Sequence, residues 1–63
     1  MNIDQPLKIM IVDDEKGITR CFKEYFSRKG FIVLEVNDGI SAIEIFEKEK
    51  PQICFIDIWM TGG

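Results

Sequence analysis

The apolar residues of this chain fall into three short, nearly continuous runs, at residues 7–12, 31–36 and 53–58. Runs of this length are typical of strands that are buried on both faces. Residues 14–29 and 39–50 instead repeat apolar residues every three or four positions, which predicts helices. The predicted order is therefore strand, helix, strand, helix, strand.

The ends of the two predicted helices carry further signals. The first helix begins in acidic residues and ends at Arg28 and Lys29, which suits the helix dipole. Gly30 is then expected to supply a left-handed C-terminal cap. Asp38, within the turn sequence "NDG", can cap the second helix, and Pro51 ends it.

Each helix is predicted to have one apolar side. On the first helix this side consists of Ile18, Cys21, Phe22, Tyr25 and Phe26, and on the second helix of Ala42, Ile43 and Phe46. Cys21 and Cys54 both lie in apolar contexts, so we expect small core residues and not redox groups. Two cysteines make neither a disulfide framework nor a zinc site, and a reducing cytoplasm is the expected compartment.

The predicted element order indicates an α/β fold. Each helix is long enough to cross over between two parallel strands, and such crossovers are right-handed in nearly all proteins. We therefore expect a parallel βαβαβ unit in residues 7–63, preceded by a flexible lead-in at residues 1–6.

The amino-acid composition and net charge of the chain exclude several classes of function. The chain has 63 residues, of which 46% are hydrophobic and 30% charged, so it forms one small globular domain. Its net charge of −3 argues against nucleic-acid binding through phosphate contacts. No apolar run is long enough to span a bilayer, and the lack of histidine excludes imidazole chemistry within the chain.

Carboxylates are predicted to converge at one edge of the sheet. Asp13 and Asp14 follow the first strand, and Asp57 lies near the end of the third. The carboxyl ends of parallel strands meet at the same edge. Two unit charges ~5 Å apart repel by roughly 3 kcal/mol at an effective dielectric of ~20. An all-oxygen site of this density suits Mg²⁺ or Mn²⁺.

A simpler interpretation is that these acids cap the first helix. It stays open for Asp13 and Asp14, and it is the preferred one for Glu15. Asp57 is harder to explain in this way, because it lies inside an apolar strand, where an unpaired carboxylate is costly. A lone carboxylate beside a carboxylate-held metal suggests a nucleophile for phosphoryl transfer.

The sequence resembles the receiver domain of two-component response regulators. The resemblance covers residues 7–60 and includes "IMIVDDE", "NDG" before the second helix and "FIDIWM" around the third strand. It implies the front half of a flavodoxin-like sheet, with strand order 2-1-3 for the three strands present here.

The resemblance also implies a set of functional residues. Asp57 would accept a phosphoryl group from a histidine kinase or a phosphotransfer protein. Mg²⁺ would be held by Asp14, Asp57 and the backbone carbonyl of Trp59, with Asp13 binding mainly through water. The chain would then be a cytoplasmic signalling domain and not an enzyme.

Two departures from the family leave the function open. Thr61 stands where the family usually has proline, and this sequence ends before the fourth and fifth strands, which carry a Ser or Thr and a Lys at the phosphoryl site. The expected function is therefore a truncated, Mg²⁺-binding phosphoacceptor. The alternative is a phosphorylation-incompetent module that forms homo-oligomers through the exposed edge of its third strand. An aspartyl phosphatase fits poorly, because its motif separates the two acids.

Overall fold

The computed structural model describes residues 5–57, which form three strands and two helices. In chain order the elements are β1 (Lys8–Val12), α1 (Lys16–Arg28), β2 (Ile32–Val36), α2 (Gly39–Glu49) and β3 (Ile53–Ile56). Only residues 5 and 6 of the predicted lead-in belong to this part of the chain. No helix in residues 5–57 is long and apolar enough to cross a membrane.

The three strands form a parallel sheet in the order β2-β1-β3. In this register Ile9 lies between Val33 and Ile53, and Val12 lies between Val36 and Ile56. The predicted α/β class, the parallel direction and the strand order are therefore confirmed. All three strands end at the same edge of the sheet, where the acidic residues follow.

β1 is the central strand and supplies most of the core. Its residues Ile9 to Val12 are all buried, because β1 has a neighbouring strand on each side and a helix above each face. On the face toward α2, Met10, Val12 and Val36 form a buried cluster. Ala42 and Ile45 of α2 pack against this cluster.

The helix boundaries agree with most of the predicted signals. Asp38 caps α2: its carboxylate accepts hydrogen bonds from the Ser41 N–H (2.8 Å) and the Ser41 hydroxyl (2.9 Å). These hydrogen bonds lower the pKa of Asp38. Gly30 follows α1 with a left-handed φ of 96°, as expected. Glu15 occupies the N-cap position of α1, but its side chain makes no capping hydrogen bond.

The prediction that both cysteines are core residues was wrong. Cys21 and Cys54 are free thiols, and both are exposed. Cys54 is exposed because β3 is an edge strand of the described sheet, and Cys21 because α1 lies mainly over β2. Both cysteines do lie in apolar segments, as the sequence indicates. An apolar pattern does not specify, however, which residues of the segment are covered by the rest of the protein.

The apolar sides of both helices are likewise only partly covered by the described residues. Tyr25 of α1 is 57% exposed, and Ile43 and Phe46 of α2 are 66% and 49% exposed. Ile45, which was not assigned to the apolar side of α2, packs on the core while Ile43 does not. Two aromatic contacts join α1 to the sheet edge: the Phe55 ring lies 5.7 Å from the Phe22 ring and 6.3 Å from the Phe26 ring.

Alanine substitutions at Gly17 and Gly30 test the backbone conformation that the structure assigns to these two positions. An added Cβ would meet no atom within 4 Å at either position, so only backbone conformation separates them. Gly30→Ala should lower the free energy of unfolding by about 1 kcal/mol, because its φ of 96° is strained for an L-residue. Gly17→Ala, within α1, should raise it by about 0.5 kcal/mol.

Urea denaturation followed by circular dichroism measures both effects. Equal shifts in the same direction would contradict the assigned backbone conformation at these two positions.

Candidate metal centre

Asp13, Asp14 and Asp57 meet at the carboxyl edge of the sheet, as the parallel topology predicts. One carboxylate oxygen from each residue lies within 4.8 Å of the others. We call these three residues the acid cluster. Asp13 is buried, Asp57 is half-buried and Asp14 is exposed, so the cluster opens to water on one side.

The main chain beneath the acid cluster is fixed by hydrogen bonds that continue the sheet ladders. The Asp13 N–H donates to the Val36 carbonyl (3.0 Å), which ties the end of β1 to the end of β2. The Asp57 N–H donates to the Val12 carbonyl (3.0 Å), which ties the end of β3 to β1. Two of the three acids are therefore anchored by backbone bonds and not left to a mobile loop.

Asp13 has a local structural role in addition to its place in the cluster. Its Oδ1 accepts a hydrogen bond from the Glu15 N–H (2.9 Å), two residues along the chain, where α1 is about to begin. The capping interpretation therefore holds in part for Asp13, while Glu15 supplies only the N-cap position. An ionised carboxylate has about four acceptor sites, so this bond leaves Asp13 able to bind a cation.

The donor set of the acid cluster fits a hard divalent cation. All three side chains offer carboxylate oxygens, which Mg²⁺ and Mn²⁺ prefer over sulfur. The open side suits Mg²⁺ in particular, because this ion usually keeps several of its waters. The further predicted ligand, the Trp59 carbonyl, lies outside the described residues, as does Thr61.

Sequence reasoning missed two residues beside the acid cluster, Asn37 and Thr19. The Asn37 side-chain amide donates to the Asp13 carbonyl (2.9 Å) and to the Thr19 hydroxyl (3.1 Å). The sequence pattern at Asn37 predicts only a turn. Asn37 directly follows β2, just as Asp13 follows β1 and Asp57 follows β3. Its position at the end of a parallel strand is the feature of the sequence that indicates a place beside the acid cluster.

Residues 9–63 match the family model of the response regulator receiver domain. The chain belongs to this family. The resemblance seen in "IMIVDDE" and "FIDIWM" is thereby confirmed, and it places the acid cluster in a family of two-component signalling domains. Receiver domains are signalling domains and are generally not enzymes.

Several curated proteins are similar to this receiver chain. Sporulation initiation phosphotransferase F of Bacillus subtilis is 34% identical over 55 residues, which cover 87% of this chain and 44% of that protein. The probable transcriptional regulator ycf27 of Galdieria sulphuraria is 39% identical over 59 residues, covering 94% of this chain and 23% of that protein.

A third relative is the alkaline phosphatase synthesis transcriptional regulatory protein PhoP of Bacillus subtilis. It is 34% identical over 53 residues, covering 84% of this chain and 22% of PhoP. The chain thus spans less than half the length of these relatives. No solved structure matches it significantly.

Electrostatic repulsion within the acid cluster should be measurable in metal-free buffer. Asp14→Asn removes one of three like charges and should raise the free energy of unfolding at pH 7 by about 1 kcal/mol, after allowance for the exposure of Asp14. The gain should shrink at high NaCl, because salt screens exposed charges. Urea denaturation at two salt concentrations measures it.

Glu44→Gln is the matched control, because Glu44 is an exposed acid that lies on α2 and not in the acid cluster. If Glu44→Gln stabilised the chain as much as Asp14→Asn, general charge reduction would explain both effects and not repulsion within the cluster.

Proposed function

We propose that this chain is the phosphoacceptor portion of a two-component receiver: Asp57 accepts a phosphoryl group, and the acid cluster binds Mg²⁺. The observation that supports this most directly is the approach of three carboxylates, from two different strands, to within 4.8 Å. The proposed ligands are Asp13, Asp14, Asp57 and the backbone carbonyl of Trp59, with Mn²⁺ able to replace Mg²⁺.

Asp57 is the proposed nucleophile because it follows β3, whereas the other two acids follow β1, and because it is half-buried. One of its carboxylate oxygens attacks the phosphorus of a phosphohistidine. An O–P bond forms as the P–N bond breaks, and the departing imidazole nitrogen keeps the electron pair of that bond. Mg²⁺, when bound, supplies positive charge that offsets the charge on the phosphoryl oxygens.

The remaining residues of the site hold Asp57 and its neighbours in place. The hydrogen bond from the Asp57 N–H to the Val12 carbonyl fixes the main chain at the nucleophile. The hydrogen bond from Glu15 to Asp13 orients the buried acid opposite it.

The proposed phosphoryl donor is a sensor histidine kinase or a phosphotransfer protein in the cytoplasm. Family membership supports this choice, as does the similarity to a protein named as a sporulation initiation phosphotransferase. Two exposed free thiols also suit a reducing compartment. The role is that of a signalling domain, which accepts a phosphoryl group and does not turn over a substrate.

Asp57→Asn should abolish both proposed properties. Titration of the wild-type chain with Mg²⁺, followed by fluorescence of its single tryptophan, should give a saturable change, because Trp59 lies two residues from Asp57. Incubation with a small phosphodonor and Mg²⁺ should add the mass of one phosphoryl group. The variant keeps the shape of the side chain and should show neither effect.

Glu44→Gln again serves as the control, and it should behave as the wild type in both assays. Intact mass spectrometry detects the phosphoryl group independently of fluorescence. A wild-type chain with no metal response by fluorescence or calorimetry, and no added mass, would contradict the proposal.

A second candidate function, self-association, is favoured by the exposure of β3. Within the described residues this strand pairs only with β1, so its other edge is unpaired there. Ile53, Phe55 and Ile56 are 36%, 42% and 59% exposed. Exposed apolar edge strands pair with other chains. Pairing of two β3 strands about a two-fold axis would be antiparallel and would place the two acid clusters at opposite ends.

Ile56→Lys should weaken such an assembly, because it places a charge on the edge strand. We expect at least a 10-fold rise in the dissociation constant of the dimer, measured by sedimentation velocity across a concentration series. Ile40→Lys is the control, since Ile40 is 77% exposed but lies at the start of α2. Equal effects of the two substitutions would rule out the β3 edge as the contact.

A further inference from the structure

We propose that Asn37 is a positioning residue for the acid cluster: its amide fixes the Asp13 main chain and joins it to the first turn of α1 through Thr19. Asn37 contributes no ligand to the cluster. This inference deepens the proposed function, and its metal-binding test rests on that function. The observations that carry it are the hydrogen bonds of one side chain to two elements.

The hydrogen-bond partners of the Asn37 side chain determine which of its amide atoms is the nitrogen and which is the oxygen. A main-chain carbonyl can only accept, so the atom 2.9 Å from the Asp13 oxygen is the NH₂ nitrogen. The same nitrogen donates its second hydrogen to the Thr19 hydroxyl at 3.1 Å. Both donors of this group are therefore directed at the segment that carries Asp13 and starts α1.

Thr19 completes the connection. Its side chain is fully buried, and its hydroxyl accepts from Asn37 and donates to the Lys16 carbonyl at 3.1 Å. No buried polar side-chain atom within residues 5–57 lacks a hydrogen-bond partner. Replacing either side chain with an apolar one leaves polar groups unpaired, which a buried position tolerates poorly.

These bonds hold Asp13 at three points. Its N–H donates to the Val36 carbonyl, its carbonyl accepts from Asn37, and its Oδ1 accepts from the Glu15 N–H. Two of the three points come from the end of β2, a strand that supplies no residue to the acid cluster. The main chain that carries the buried Asp13 carboxylate is thus held in place by the neighbouring strand.

Such positioning has a direct consequence for Mg²⁺. This ion demands near-ideal octahedral geometry, so a displaced ligand weakens binding even when every carboxylate remains. Residues that orient metal ligands without touching the metal typically change its affinity by about 10- to 100-fold. A residue with only a structural role would lower stability and leave the affinity of the folded protein unchanged.

The test compares four variants of the full 63-residue chain with the wild type. Asn37→Ala should weaken Mg²⁺ binding by about 10-fold, measured by calorimetry under conditions where circular dichroism shows a folded chain. Thr19→Val keeps the shape of the side chain but lacks the hydroxyl, and should weaken binding several-fold. Thr19→Ser restores the hydroxyl and should recover most of the affinity.

Ile45→Val is the control for stability. It removes one methylene from the core beneath α2, a change that destabilises without touching the acid cluster. Its affinity for Mg²⁺ should equal that of the wild type. If Asn37→Ala does not fold, the comparison of Thr19→Val with Thr19→Ser decides the question.

A second readout needs no metal. The Glu15 amide donates to Asp13 Oδ1, so its proton resonance in NMR reports whether that carboxylate is held in place. In the metal-free protein, Asn37→Ala and Thr19→Val should move this resonance toward the position of a water-exposed amide. Ile45→Val and Thr19→Ser should leave it unchanged.

The two readouts separate the two proposals. A wild-type chain that binds no Mg²⁺ would overturn the proposed function, and the Glu15 resonance would then decide the role of Asn37 alone. A wild-type chain that binds Mg²⁺, with unchanged affinity and an unchanged Glu15 resonance in both Asn37→Ala and Thr19→Val, would overturn the positioning role and leave the proposed function standing.

Discussion

Parallel pairing of β1 with both of its neighbours is the constraint on which the rest of this structure depends. Because β2 and β3 run in the same direction as β1, all three strands end at one edge of the sheet. Residues that follow the strands are therefore brought together although they lie far apart in the sequence. The acid cluster and Asn37 are both products of this single geometric fact.

The acid cluster is unfavourable by itself, and its surroundings limit how far it can relax. Repulsion would tend to separate three carboxylates within 4.8 Å of one another. Ladder bonds at Asp13 and Asp57, together with the Asn37 amide, hold the main chain where it is. A preorganised site of this kind gains more from a bound cation than a flexible one does, because less order must be imposed on binding.

The distribution of apolar surface sets this chain apart from a domain whose core is closed on all sides. β1 is buried, whereas β3 and the apolar sides of both helices are about half covered by the described residues. The aromatic contacts of Phe55 with Phe22 and Phe26 cover part of one face of β3. The exposed apolar residues of β3 thus lie on the strand that Asp57, a member of the acid cluster, directly follows.

The sequence by itself determined the element order, the parallel α/β class, the caps at Asp38 and Gly30, and the convergence of Asp13, Asp14 and Asp57. Each follows from local periodicity, local backbone preference or the rule that parallel strands end together. The strand order was predicted from the resemblance of the sequence motifs to those of the receiver family.

Tertiary structure alone decided which apolar residues are covered, and it showed Cys21 and Cys54 to be exposed where the sequence predicted core. It also decided the link from Asn37 through Thr19 to Asp13, because that link joins three elements that no local pattern relates. Periodicity reveals which side of an element is apolar. Only the packed arrangement of all the elements determines what lies against that side.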